Sequence, residues 1–213
     1  MTTGILIAGF DFGGAHADEF HDWYDLEHLP ERRAVAGFSL CERWLGADDA
    51  VQSIATYDLT SIGVLDSAAY RAIAYQNLSP WSRRVTSMCR RLIRFEGELM
   101  TSDAVTVTAG AGGMLLNAMD VAPEGEDEFN AWYDQEHIPA LAAVPGTIAA
   151  RRFRAAAGRT STHQYVAIYH LESPEVTRSA AWRDAVETPW TQQVRPYFQN
   201  RLRVLTGRYT RAE

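Results

Sequence analysis

Residues 20–30 read FHDWYDLEHLP and residues 129–139 read FNAWYDQEHIP. Phe20/Phe129, Trp23/Trp132, Tyr24/Tyr133, Asp25/Asp134, Glu27/Glu136, His28/His137 and Pro30/Pro139 are identical, all at one constant offset. Chance does not hold aromatic, acidic and imidazole residues in one register. The chain is a tandem duplication, and self-similarity at a fixed period constrains architecture before any other feature does. Whatever the first half folds into, the second half folds into as well.

The spacing predicts a helix over 16–29 and its counterpart over 126–138. At about 100° per residue, Phe20, Trp23, Tyr24, Glu27 and His28 share an arc of about 140°, with Asp25 at its margin. Asp22/Ala131 and Leu26/Gln135, which differ between the copies, fall on the far side. An unpaired buried carboxylate is costly. Glu27 on this face therefore predicts either a polar cavity beside it or a fixed partner. Pro30 disfavours helical geometry at Leu29 and marks an end or a kink.

The remainder of each half follows one order. Apolar, β-branched runs predict strands at 4–12, 38–45, 51–59 and 91–100, and again at 114–121, 148–154, 164–171 and 202–209. Helical composition appears at 66–78, and Ser79-Pro80-Trp81 and Thr188-Pro189-Trp190 read as caps with proline at the first helical position. Ser173-Pro174-Glu175 reads as a further cap. Val35-Ala36-Gly37 matches Val144-Pro145-Gly146. The order β-α-β-β-α-β is that of the split ferredoxin-like unit. The expected organisation is repeat 1 over 1–102, a small, polar linker over 103–112 with room for a short strand at 105–108, and repeat 2 over 113–213. The expected fold class is α+β, with two tandem ferredoxin-like units packing their sheets into a pseudo-dimeric α/β barrel and leaving a cavity for a small ligand in each unit.

Composition narrows the function classes. The net charge of −7 argues against nucleic acid and anionic membrane surfaces. No apolar run approaches the roughly 20 residues that span a bilayer, and the N-terminus lacks the pattern of a signal peptide. Cys41 and Cys89 form no metal or redox motif, and a reducing cytoplasm is the default compartment. There is no glycine-rich phosphate loop, no Gly-x-Ser-x-Gly elbow and no zinc pattern, so nicotinamide, flavin and ATP chemistry are unsupported and the expected cofactor is none.

The pattern F-x-x-W-Y-D-x-E-H-x-P, followed by a glycine and a strand, resembles the EthD-like branch of the dimeric α/β-barrel superfamily, here with both halves in one polypeptide. The resemblance covers nearly the whole chain. It implies a superfamily that includes cofactor-free monooxygenases, lactone isomerases, polyketide cyclases, dehydratases and, more remotely, haem enzymes; fold alone does not choose among them. It also implies that His28 and His137 are pocket residues. The haem branches place their ligand elsewhere, at positions this sequence does not match.

On the residues themselves, His28 and His137 are candidate general bases or acids. Asp25 and Asp134 stand three residues before them, at a spacing suited to orienting the ring, and Tyr24 and Tyr133 are candidate donors to a developing oxyanion. The bland alternative is that each histidine simply caps its helix end. Glu27 and Glu136, with Arg43 and Arg152, equivalent arginines of the following strand, are candidate substrate-binding residues; the competing reading pairs the two glutamates with those arginines structurally, and that pairing is favoured. Trp23 and Trp132, with Trp81 and Trp190, are candidate aromatic contacts for substrate, or else core anchors. His21, Asp25 and His28 have metal-ligand spacing, but the second copy carries Asn130 opposite His21, and no metal site is expected. The leading expectation is cofactor-free acid/base isomerisation, cyclisation or elimination on a small hydrophobic oxygenated substrate. The alternatives are a cofactor-independent monooxygenase of a phenol or anthrone and a non-catalytic small-molecule binder. Fusion either replaces dimerisation or sits beneath a further homodimer of the fused chain.

Overall fold

The computed structural model describes residues 3–101 and 110–211; the short strand expected at 105–108, and most of the expected linker, lie outside the described residues. The fold is mixed α+β with antiparallel strand pairing. Contacts divide the chain into two compact units. One runs to Glu98 and takes in Ala155–Thr162; the other comprises Leu99–Arg154 and the chain from His163 onward.

In the first unit, β1 (Gly4–Asp11) leads into α1 (Ala17–Trp23), a π-helical turn (Tyr24–His28) and α2 (Leu29–Arg33). β2 (Phe38–Gly46) and β3 (Gln52–Leu59) form a hairpin. α3 (Ala68–Arg71), α4 (Pro80–Met88) and β4 (Arg90–Leu99) complete it. β1 pairs with both β3 and β4, so the sheet order is β4-β1-β3-β2. This central position explains the unbroken apolar run of β1: Leu6, Ala8 and Phe10 face the helices, Ile5 and Ile7 face the other way, and all are buried.

The second unit repeats this. β5 (Gly113–Val121) is followed by α5 (Glu126–Trp132), a π-helical turn (Tyr133–His137) and α6 (Ile138–Ala142). β6 (Thr147–Ala155), β7 (Tyr165–Leu171), α7 (Ala180–Val186), α8 (Pro189–Val194) and β8 (Phe198–Arg208) complete the unit. The sheet order is β8-β5-β7-β6. Each unit has its own aromatic core between sheet and helices, around Phe20, Trp23, Tyr24 and Tyr57 in the first and Phe129, Trp132, Tyr133 and Tyr169 in the second.

Two local expectations need correction. The single helix over 66–78 is instead a 3-10 turn (Ile62–Asp66), the short α3, and another 3-10 turn (Tyr75–Asn77), because Tyr75 takes a left-handed φ of 56° that a helix cannot absorb. Ser173 caps nothing with its side chain; a 3-10 turn follows, and Ser179 Oγ accepts the Trp182 N–H at 3.1 Å to start α7. Of the end or kink that Pro30 allows, the repeated helix takes the kink rather than the end. It widens first, with the Leu29 N–H bonding the Tyr24 carbonyl and the Ile138 N–H bonding the Tyr133 carbonyl, and then continues as α2 and α6. Pro30 and Pro139 supply the reason. A proline ring inside a helix crowds the carbonyl four residues back and offers no N–H, and a wider turn at that place relieves both. The caps at Ser79 and Thr188 form as the sequence predicts, accepting the Ser82 and Thr191 N–H groups at 2.9 and 3.0 Å.

Candidate functional site

The π-helical turn carries Tyr24, Asp25, Glu27 and His28, and its twin carries Tyr133, Asp134, Glu136 and His137. Turns of this kind are rare and recur at functional positions. Here each is fixed from two sides.

From the sheet side comes a buried arginine. Arg43, on β2, donates Nη1–H to Asp25 Oδ1 at 3.0 Å and Nη2–H to His21 Nδ1 at 2.6 Å, with its guanidinium over the Tyr24 ring at 4.5 Å. Arg152, on β6, donates to Asp134 Oδ1 at 3.2 Å and to Asn130 Oδ1, and lies over the Tyr133 ring at 4.4 Å. The arginines expected to pair with Glu27 and Glu136 thus pair with the aspartates. The aspartates, expected to orient the histidines, are held by the arginines instead. His21 and Asp25, whose spacing alone suits a metal, both face Arg43, and no group of three His, Cys, Asp or Glu among the described residues has metal-holding geometry.

From the helix side comes a capped N-terminus. Glu27 Oε1 accepts from Ser79 Oγ and, at 3.0 Å, from Ser82 Oγ; Ser82 Oγ in turn accepts the Trp23 Nε1–H at 2.9 Å. In the second unit Glu136 Oε1 accepts from Thr188 Oγ1, and Thr191 Oγ1 accepts the Trp132 Nε1–H at 3.1 Å. Glu27 and Glu136 are therefore clasps between the π turn and the start of the next helix, the fixed-partner option. A carboxylate at a helix N-terminus also suits the helix dipole.

With both sides pinned, the histidine rings stand in matched aromatic boxes. His28 lies 4.5 Å from Trp23, 5.2 Å from Tyr24 and 6.4 Å from Tyr57, ring to ring. His137 lies 4.1 Å from Trp132, 5.1 Å from Tyr133 and 6.5 Å from Tyr169. Both are buried, and Nδ1 of each is enclosed with no hydrogen-bond partner among the described residues. Burial, reinforced by the Arg32, Arg94 and Arg43 cations, holds His28 well below the usual imidazole range. Burial, with Arg152, lowers His137 to about 3. Both imidazoles are neutral at physiological pH. Burial pushes Tyr24 and Tyr133 up to about 12, against the opposing pull of Arg43 and Arg152. Tyr57 and Tyr169 are raised well above their usual value, again by burial. Tyr24 and Tyr57 are coupled electrostatically, yet their hydroxyls make no hydrogen bond of ordinary geometry.

Each histidine borders a cavity inside its own unit. The first, about 270 Å³, lies between the helix-facing side of β1, β3 and β4 and the helical segments; His28, Arg32, Tyr57, Tyr70, Arg94 and Glu96 line it. The second, about 350 Å³, is bordered by Trp132, Tyr133, His137, Leu141, Trp182 and Arg201, among others. Such volumes suit small ligands, for which pockets run upward from roughly 300 Å³.

No protein-family model matches the sequence, and no curated protein matches it either. Solved structures do resemble it. An anthrone oxidase-like protein superposes with a TM-score of 0.68 at 14% identity, covering 99% of this chain and 92% of the other. A protein provisionally assigned as a monooxygenase from Lactobacillus acidophilus NCFM gives 0.60 at 14% identity, covering 99% and 95%. A mutant chlorite dismutase from Candidatus Nitrospira defluvii gives 0.60 at 13% identity, covering 99% and 93%. These neighbours belong to the dimeric α/β-barrel superfamily.

The chain has the dimeric α/β-barrel fold.

On that fold, the sequence-predicted residues divide into three sets. His28 and His137 reach the cavities, and so do Tyr133 and Trp132 in the second unit. Tyr24 and Trp23 are fully buried behind His28 and do not line the first cavity; Tyr57 stands there instead. Trp81 packs against the core, and Trp190 donates Nε1–H to Glu128, so neither roofs a cavity. Sequence reasoning missed Tyr57, Tyr70, Arg94 and Glu96 as cavity residues. One signal was present: Tyr57 and Tyr169 match between copies and alternate inward on their strands. No helix among the described residues is long and apolar enough to cross a membrane.

Proposed function

We propose that the chain is a cofactor-independent monooxygenase acting on a small, acidic, electron-rich aromatic such as a phenol or an anthrone, and that its two units are tandem ferredoxin-like repeats of the EthD-like branch. The observation that carries this reading is a neutral imidazole at the wall of an aromatic cavity that also holds buried guanidinium. The resemblance to an anthrone oxidase-like protein and to a provisionally assigned monooxygenase supports it.

The chemistry runs as follows. Burial disfavours an isolated imidazolium at His28. When the proton comes from the substrate, cation and anion appear together, and their attraction in a low-dielectric cavity offsets that penalty. Arg32 and Arg94 add positive potential where the enolate or phenolate forms. An electron-rich carbanion of this kind is itself the reductant for dioxygen. A C–O bond forms, the hydroperoxide takes up the proton, and loss of water leaves a carbonyl where a methylene stood. The same proton abstraction without oxygen would serve the isomerase, cyclase or lyase readings.

Oxygen uptake separates them. With metal-stripped protein and 1,8-dihydroxyanthrone as probe, uptake above the spontaneous rate is expected. Loss of a catalytic base costs about 10²- to 10⁴-fold, so the H28A/H137A double variant should drop by that order, and each single variant by the share that its own cavity contributes. Uptake equal to wild type in the double variant would sink the role of both histidines. Turnover of a substrate without uptake would move the assignment to isomerisation, cyclisation or elimination.

A further inference from the structure

The two cavities differ most at one buried position. Arg32 stands four residues after His28, its side chain only 4% exposed, and it lines the first cavity. The equivalent residue of the second unit is Leu141, equally buried and also lining. The second cavity does have arginines, but Arg183, Arg195, Arg201 and Arg203 are all exposed, where water and salt weaken them. Arg32 is thus a deeply buried guanidinium on the wall of the first cavity, with no buried counterpart on the wall of the second.

Its bonds leave it unfinished. Nη1 donates to Glu31 at 2.6 Å and Nη2 to the Ile73 carbonyl at 3.1 Å, while a guanidinium has five N–H donors in a fixed fork. Around the first cavity Arg94 is matched by Glu96, bonded through Nε at 3.1 Å, and Arg32 by Glu31. Arg91, also lining the cavity, is exposed and is discounted like the arginines of the second unit. Arg32 keeps N–H donors beyond the two that Glu31 and the Ile73 carbonyl take up.

The mouth of the same cavity carries a second, independent feature. Tyr75 lines it with a φ of 56° and remains 49% exposed. A non-glycine residue in that region costs energy and persists where the surroundings enforce it, most often at ligand sites. Its ring stands edge-on to Tyr70, centroids 5.8 Å apart, with the Arg94 guanidinium 5.7 Å from its centroid. In the second unit Ser179-Ala180-Ala181-Trp182-Arg183 repeats Ser67-Ala68-Ala69-Tyr70-Arg71, which sets Glu187 opposite Tyr75, at an ordinary φ of −95°. The strained aromatic and the buried arginine therefore occur together, in one half only.

We infer that the first cavity takes a flat aromatic ligand bearing one anionic group, with Arg32 selecting the charge and Tyr75 covering the ring. This rests on reading the cavity as the substrate site and adds the substrate's charge class to it. It also assigns the two halves different ligands, since the second lacks both devices.

Binding without turnover tests it. Under nitrogen, at 150 mM NaCl, isothermal titration compares 2-naphthoate with its neutral isostere, naphthalene-2-carboxamide. Hydrogen bonds to charged groups contribute about 1.5–3 kcal/mol, so the carboxylate should bind about 10- to 100-fold more tightly at one site per chain. R32L, which copies the second half's residue, should abolish that preference. R32Q, which keeps a donor for the Ile73 carbonyl, should do the same and stands in if R32L melts early. Y75A should weaken both probes equally, by about 2- to 10-fold. Equal affinity of the two probes for wild type would overturn the inference, as would a charge preference that survives both Arg32 variants. Because no oxygen is consumed, either failure leaves the uptake result standing, and a failed uptake assay leaves this result standing.

Discussion

Replacing Ser82 with alanine removes one oxygen that two partners use. Ser82 is wholly buried, and its Oγ accepts the Trp23 indole N–H at 2.9 Å while donating to Glu27 at 3.0 Å. The indole, also wholly buried, would keep its N–H with no acceptor. An orphaned buried donor costs about 1–3 kcal/mol, and a lost hydrogen bond to a charged group about 1.5–3 kcal/mol. The second is discounted, because Glu27 is only half-buried and keeps Ser79. About 3 kcal/mol is expected in all, or roughly 6–12 °C for a chain of this size. The duplication supplies the control. Thr191 accepts from Trp132 in the same way, at 3.1 Å, but the donor to Glu136 is Thr188. T191V therefore removes that acceptor and the 3.0 Å bond to Thr188 Oγ1, but no bond to the carboxylate, without changing side-chain volume, and should cost about 1–2 kcal/mol. Urea denaturation followed by circular dichroism gives both values, and a W23F/S82A double-mutant cycle should show a coupling of about 1 kcal/mol or more. If S82A costs no more than T191V, or if the cycle shows no coupling, the clasp between the π turn and α4 does not hold that turn in place.

Two further outcomes follow from the geometry. The folded-state pKa of His137 lies near 3, His170 is likewise lowered by burial to about 3, and His28 is lowered as well. Above the unfolded value of about 6.5 both states are neutral. Below it the unfolded chain binds protons that the folded chain refuses, so stability should fall as pH drops from about 6.5 toward 3, by up to about 1.4 kcal/mol per pH unit for each such histidine; H137Q should flatten the slope measured by urea titration at several pH values. Gly37 and Gly146 hold φ values of 98° and 89° where each repeated helix turns into its strand, and an added Cβ would meet Val64 at 2.5 Å and Val176 at 2.6 Å. G37A and G146A should each lower the melting temperature by an amount corresponding to about 1–3 kcal/mol, and a neutral result at either position would contradict the strain argument.

The repeat and the β-α-β-β-α-β order were legible because both rest on local signals: periodicity, proline and glycine placement, and identity between halves. The caps at Ser79 and Thr188 were legible for the same reason. The helical wheel failed at one specific place. It assumed a constant turn through residues 20–28, and the π turn after Trp23 changes the phase. Glu27 then meets Ser79 and Ser82, and Asp25 meets Arg43, where the wheel had set Asp25 against His28 and Glu27 against Arg43. The cavity residues Tyr57, Tyr70, Arg94 and Glu96 come from β3, α3 and β4. No spacing along the chain relates such residues to His28.

By itself, then, the sequence determined that one eleven-residue pattern occurs twice at a constant offset and that each copy carries a histidine late in a predicted helix. Both facts are local, fixed by residues within a few turns of one another. Only the tertiary structure decided what those histidines meet. The partners of a buried side chain depend on strands and helices far apart in sequence, and the energy that neutralises an imidazole or orients a carboxylate belongs to that assembled surrounding.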